Sequence, residues 1–155
     1  METHDSIIRR QQRYGYAVFC DIELSKNSRK GEIEWTFNTV KLKGLVGYGI
    51  TTFPFPVDVK NRANFDEDTI MVRNNSGWIN GGKTDKKRHS SLEWKAGDRI
   101  RCYFDKRNGN LAMRKNDENL VIIEKGVSEG KVFYPFVAFA DPTEAANGDQ
   151  IEIFY

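Results

Sequence analysis

Few side chains in this sequence carry chemistry at a spacing that would let them converge. In Gly31-Glu32-Ile33-Glu34-Trp35-Thr36-Phe37, two glutamates alternate with apolar residues, so on a β-strand both carboxylates share one face. Carboxylates so placed could act as nucleophile and acid/base in glycoside hydrolysis. The next positions, Thr36 and Phe37, supply no further acid, and a solvated strand face is the simpler reading. The two histidines offer little: His4 lies near the N-terminus and His89 inside a basic stretch, so a hydrolytic triad has no obvious base. Cys20 and Cys102 belong to no CxxC pair and no Cys/His cluster, which argues against zinc and for buried, reduced thiols. The expectation is a protein that is not an enzyme and needs no metal or cofactor.

Recognition chemistry is better represented. Lys83-Thr84-Asp85-Lys86-Lys87-Arg88-His89 is the strongest local charge feature. Its cations, Lys83, Lys86, Lys87 and Arg88, form either a solubilising loop or a contact for an acidic peptide, a phosphate or an RNA backbone. The whole chain has 24 Lys and Arg against 22 Asp and Glu, a net charge of +2. That balance implies no global attraction to nucleic acid or membranes, so such a partner would depend on this local patch. Tyr48 and Tyr103 could stack on bases, but both fall at strand positions where core or sheet packing is the simpler role. In Phe53-Pro54-Phe55-Pro56 the prolines limit how the chain can turn, so burying both rings is difficult. One phenylalanine can pin the loop while the other forms the wall of a binding pocket. Trp78 reads as core, or as an anchor for a partner at the base of a loop.

The elements that would hold these groups are strands. From Tyr16 onward the hydrophobic period is two: Val18, Cys20, Ile22 and Leu24 share a face, as do Ile33, Trp35 and Phe37. Leu45-Val46-Gly47-Tyr48-Gly49-Ile50 is an apolar strand whose glycines leave room for a large neighbour, often an aromatic. Residues 51–68 read as a long surface loop, of the kind that is frequently functional. Thr69–Val72 and Gly77–Ile79 are short strands around an Asn74-Asn75 turn, and a polar loop covers 80–91. Arg99 to Ile123 contains a hairpin turning at Asn108-Gly109, where Gly supplies positive φ, and a second turn at Asn116-Asp117. Ile100, Cys102 and Phe104 face one way in it, Arg101, Tyr103 and Asp105 the other. Val132–Phe139 and Gln150–Phe154 complete the strands. Roughly ten strands without an amphipathic helix imply an all-β, two-layer antiparallel β-sandwich.

The order of these landmarks resembles the SPRY domain, a β-sandwich family of protein-interaction modules related to concanavalin-like jelly rolls. GEIEWTF resembles the family's Gly-plus-Trp strand, with Trp35 in the Trp position, and LVGYGI its following Val-Gly strand. WKAGDRIRCYFDKRNGNLAMRKND resembles the Gly-Asp strand, Asp turn and next strand through Gly97, Asp98, Asp105 and Leu111. VFYPFVAF resembles the Tyr-Pro strand through Tyr134 and Pro135. Thr36 stands where the family usually has Glu, and Asp117 where it usually has Gly. The resemblance implies a protein or peptide partner gripped by loops on one rim: those after Ile50, around Trp78 to Lys83, and after Phe139. The implied partner-binding residues are Phe53, Phe55, Arg73, Trp78, Asn80, Lys83, Phe139 and Asp141, with Arg73 and Lys83 as donors. It also implies a place within a larger multidomain protein.

Residues 1–14 are polar and basic, and read as an N-terminal arm that is disordered, forms a helical turn or docks on the sheet. Residues 15–155 form the domain. No apolar run approaches the ~20 residues of a membrane span or the core of a signal peptide, so the expected location is intracellular, cytoplasmic or nuclear.

Overall fold

The structure is a computed structural model that describes residues 4–8, 16–19, 31–52, 69–75, 77–81, 87–127, 133–139 and 149–154. Among these, twelve strands form two six-stranded antiparallel sheets, and there is no α-helix. The strands are β1 (His4–Ile8), β2 (Tyr16–Phe19), β3 (Glu32–Lys41), β4 (Val46–Thr52), β5 (Thr69–Arg73) and β6 (Trp78–Gly81). They continue with β7 (Lys87–Arg88), β8 (Arg99–Asp105), β9 (Asn110–Lys115), β10 (Val121–Glu124), β11 (Phe133–Phe139) and β12 (Gln150–Phe154). The first sheet runs β1-β12-β3-β8-β9-β10 and the second β2-β11-β4-β5-β6-β7. The protein is therefore the two-layer antiparallel sandwich that the alternating pattern implies.

Alternation decides which face of each strand is dry. Trp35, Phe37 and Thr39 of β3 are buried while Glu32 and Glu34 are exposed, and Ile100, Cys102 and Phe104 of β8 repeat the pattern. These residues meet Val46, Tyr48, Ile50, Ile70, Val72 and Val137 of the second sheet in one core. At its centre the Tyr48 ring is stacked between Phe37, at 4.4 Å, and Trp94, at 4.6 Å. Thr39 is a polar residue on the inner face of β3, and its hydroxyl is satisfied by the Tyr48 hydroxyl at 2.7 Å. Burial pushes the Tyr48 phenol well above its ordinary range, an effect partly opposed by the bond to Thr39. Cys102 is buried and forms no disulfide, as expected; Cys20 lies outside the described residues.

Three local features differ from the sequence reading. The β8–β9 connection uses four residues, 106–109, and only Gly109 has positive φ (72°). Its backbone N–H reaches the Asp105 carbonyl, and the Asp105 carboxylate accepts from the Arg107 N–H, so the Asp builds a wider turn than Asn-Gly alone. The strand glycines make room for something other than an aromatic ring. A Cβ on Gly47 would strike the Met71 side chain, and one on Gly49 the Ile70 carbonyl. Finally, Lys87 and Arg88, placed in a loop by the sequence, pair as a short strand with Ile79 and Trp78.

Candidate partner-binding surface

Strand pairing assigns each strand end to one of the two ends of the sandwich. At one end Asp149 accepts hydrogen bonds from the Lys43 and Gly44 backbone at 2.8 and 2.9 Å, and Asn74 accepts from Val46 N–H at 2.9 Å. Trp94 N–H donates to the Asn74 carbonyl, and Asn116 links Arg99 N–H to the Asp98 carboxylate. Buried Leu92 and Trp94 plug the core beneath this network. Polar backbone here is engaged in holding neighbouring strands and turns together. The opposite end is marked by Glu32, the Asp105–Asn110 turn, Thr52, Thr69 and Gly81. From there leave the connections 53–68 and 82–86.

The residues implied for one rim are thus divided. Phe53, Phe55, Lys83, Lys86 and Asp141 lie outside the described residues. The chain bearing Phe53, Phe55 and Lys83 leaves from the Asp105 end, whereas Phe139 pairs with Val46 and Arg73 with Gly47 at the Asn74 end. Asn80 sits mid-sheet, opposite Met71. An antiparallel pair sends the two ends of one strand to opposite edges of the layer, so Thr52 and Phe139 cannot feed loops from a common starting edge. Trp78 is half-buried, pairs with exposed Arg88, and by the β5–β6 register stands beside Arg73. It is therefore an outer-face residue and not core. Lys87, its neighbour in the basic run, pairs with Ile79.

The outer face of the first sheet holds a feature the sequence reading missed, a groove of about 320 Å³. Cross-strand register arranges it in rows. Glu34, Tyr103, Ala112 and Ile122 form the middle row, so the small Ala112 leaves a hollow between Tyr103 and Ile122. Leu120 and Ile122, 45% and 43% exposed, supply its apolar wall. In the next row Arg101 and Arg114 are directly opposite, an arrangement of like charges that costs stability without an anion nearby. Arg101 has Glu34 at 3.4 Å, and the Tyr103 hydroxyl helps hold its guanidinium above the usual range. Arg114 lies over the Tyr103 ring at 5.9 Å, and its Nε is buried with no hydrogen-bond partner. Tyr103 is thus a half-exposed groove residue, while Tyr48 is core.

At the far margin Glu32 stands opposite Asp105, a carboxylate pair that the strand sequence alone does not reveal. Arg107 binds both Asp105 oxygens, at 3.1 and 3.0 Å, and holds this carboxyl below its usual range. That direction opposes a general acid, which must keep its proton near neutral pH. His4 and His89 belong to the edges of different sheets, on β1 and just after β7. Among the described residues no group of three or more His, Cys, Asp or Glu could hold a metal ion, and no helix is long and apolar enough to cross a membrane.

The described residues thus build a two-sheet framework with a groove of mixed polarity on the outer face of one sheet. The comparisons with known proteins specify it further. The family model described as SPRY domain matches residues 32–151, and the chain belongs to that family, generally one of protein-interaction modules. Among solved structures it resembles the SPRY domain of human HERC1, with a TM-score of 0.74 and 18% identity over 97% of this chain and 92% of that one. A second human SPRY domain gives a TM-score of 0.67 and 14% identity, over 96% and 90% of the two chains. No curated protein matches the chain in sequence.

Proposed function

We propose that this chain is a non-catalytic module that binds a protein or peptide with a preformed surface, within a larger intracellular protein of the cytoplasm or nucleus. Membership of the SPRY family supports the class of function. The observation that carries the choice of surface is that Thr52 and Gly81 end their strands on one side of the sandwich. The segments bearing Phe53, Phe55 and Lys83 follow these two residues in the chain. A site built on such a framework avoids part of the ordering cost of association. Phe53 or Phe55 buries apolar ligand area, and Lys83 donates to carbonyl or acidic groups. Replacing both phenylalanines by Ala should abolish partner capture from the native cell and leave the thermal midpoint nearly unchanged. A collapse of folding would assign both rings to the core instead.

A second reading has one specific observation behind it: Arg73, Trp78 and Arg88 share a cross-strand row on the outer face of the second sheet. Cations flanking an aromatic ring suit a phosphate or a nucleic-acid strand, and Lys83 and Lys86 of the same basic run would add charge to it. RNA binding that falls steeply with added salt and is lost in Trp78→Ala would establish it. Absence of RNA binding at low salt removes it.

A further inference from the structure

We infer that the groove over Tyr103 and Ala112 docks a partner polypeptide segment that carries a carboxylate beside an aliphatic side chain. The inference rests on the protein-binding reading above and names the chemistry of the partner at a surface distinct from the segments bearing Phe53 and Phe55. Two independent features of the groove define its occupant.

The first is shape. On a sheet, residues in one cross-strand row stand side by side, and here the row places Ala112 between Tyr103 and Ile122. Ala112, the smallest side chain of that row, lines the groove between them. Its apolar wall, Leu120 and Ile122, comprises the exposed large hydrophobics among the described residues. A branched aliphatic group entering the hollow covers apolar surface on both sides, which is the main source of affinity for so small a site.

The second is charge. Arg101 and Arg114 face each other across β8 and β9, and Glu34 neutralises only the Arg101 side of the pair. Arg114 rests on the Tyr103 ring and lines the groove; its Nε is sealed from water and from any ligand, so an anion must be met by the outer Nη atoms. A carboxylate arriving there gains charge-assisted hydrogen bonds and relieves the repulsion between the two arginines. Glu32 and Asp105 line the opposite margin of the same groove. They disfavour a doubly charged phosphate, and among singly charged anions a carboxylate is the one that a polypeptide segment carries. Successive rows lie ~6.6 Å apart along a strand, so the acid and the aliphatic group belong to neighbouring positions of the partner.

The test uses the whole chain and a phage-displayed library of random linear peptides. Enriched sequences are synthesised and their dissociation constants measured by fluorescence polarisation on the parent protein, Arg114→Met, Ala112→Leu, Ile122→Ser and Phe53→Ala/Phe55→Ala, each with its thermal midpoint. Peptides pairing Asp or Glu with Leu, Ile, Val or Met should dominate. Arg114→Met and Ala112→Leu should each weaken them about tenfold or more. Ile122→Ser, at an exposed position, reports on the same wall if Ala112→Leu does not fold. Neutralising the peptide's acid should matter on the parent and have little further effect on Arg114→Met. Enriched peptides without an acid, or affinities unchanged by the groove variants, overturn the inference. Peptides lost only in the double phenylalanine variant overturn it while upholding the module; failure to enrich any peptide counts against both.

Discussion

The hydroxyl pair inside the core allows a sharp test of the energetics. Thr39 and Tyr48 are both fully buried, and their hydroxyls are 2.7 Å apart. Thr39→Val keeps the side-chain shape but leaves the phenol without this partner in a dry core. Tyr48→Phe does the reverse, while keeping the ring stacked between Phe37 and Trp94. Each single substitution therefore carries the desolvation cost of a stranded polar group, about 1–3 kcal/mol. For a domain of this size that corresponds to a drop in Tm of about 2–12 °C. The double variant strands neither hydroxyl and should be more stable than either single one. Urea denaturation followed by tryptophan fluorescence gives all four free energies, and equal m-values would confirm that the folded and unfolded states are unchanged in extent. Simple additivity, with the double variant carrying the sum of both losses, would show that the hydroxyls do not depend on each other.

Two further outcomes concern the fold, beside those stated for the phenylalanines and the groove. Because burial raises the Tyr48 pKa, the unfolded chain ionises near pH 10 while the folded phenol keeps its proton. Stability is unaffected by this group below about pH 10 and falls above it by ~1.4 kcal/mol per pH unit, a slope that Tyr48→Phe should remove. Urea midpoints measured across that range decide it, and parallel slopes for parent and variant would contradict it. Gly49→Ala places a methyl on the Ile70 carbonyl of the adjacent strand, and backbone cannot rotate away. It should cost about 2 kcal/mol or more, beyond the loss from Gly97→Ala, where the space is open and only the backbone angle resists. Equal losses in the two variants would refute the close approach.

Much of the fold is legible in the residues because each strand declares its own dry face. Trp35 and Phe37, or Ile100, Cys102 and Phe104, alternate with charged neighbours, and that period has one structural solution. The Asn116 turn is likewise local in that its φ of 52° suits Asn, whereas the bonds of its side chain to Arg99 and Asp98 depend on the strand pairing. The strand character of Lys87 and Arg88 was hidden because two polar residues carry no period, and only pairing with Trp78 and Ile79 makes them a strand.

The site was far less visible. The residues themselves mark Phe53, Phe55 and the basic run as unusual, since prolines and clustered charge are local signals. They do not say which end of a sheet a connection leaves from, because that depends on how many strands have reversed direction before it. Nor do they reveal that Ala112 stands between Tyr103 and Ile122, or that Arg114 faces Arg101. Local side-chain chemistry determined the layers and their inner faces. Register between separate strands decided the groove, because hydrogen bonding across a sheet makes neighbours of residues that the chain keeps apart.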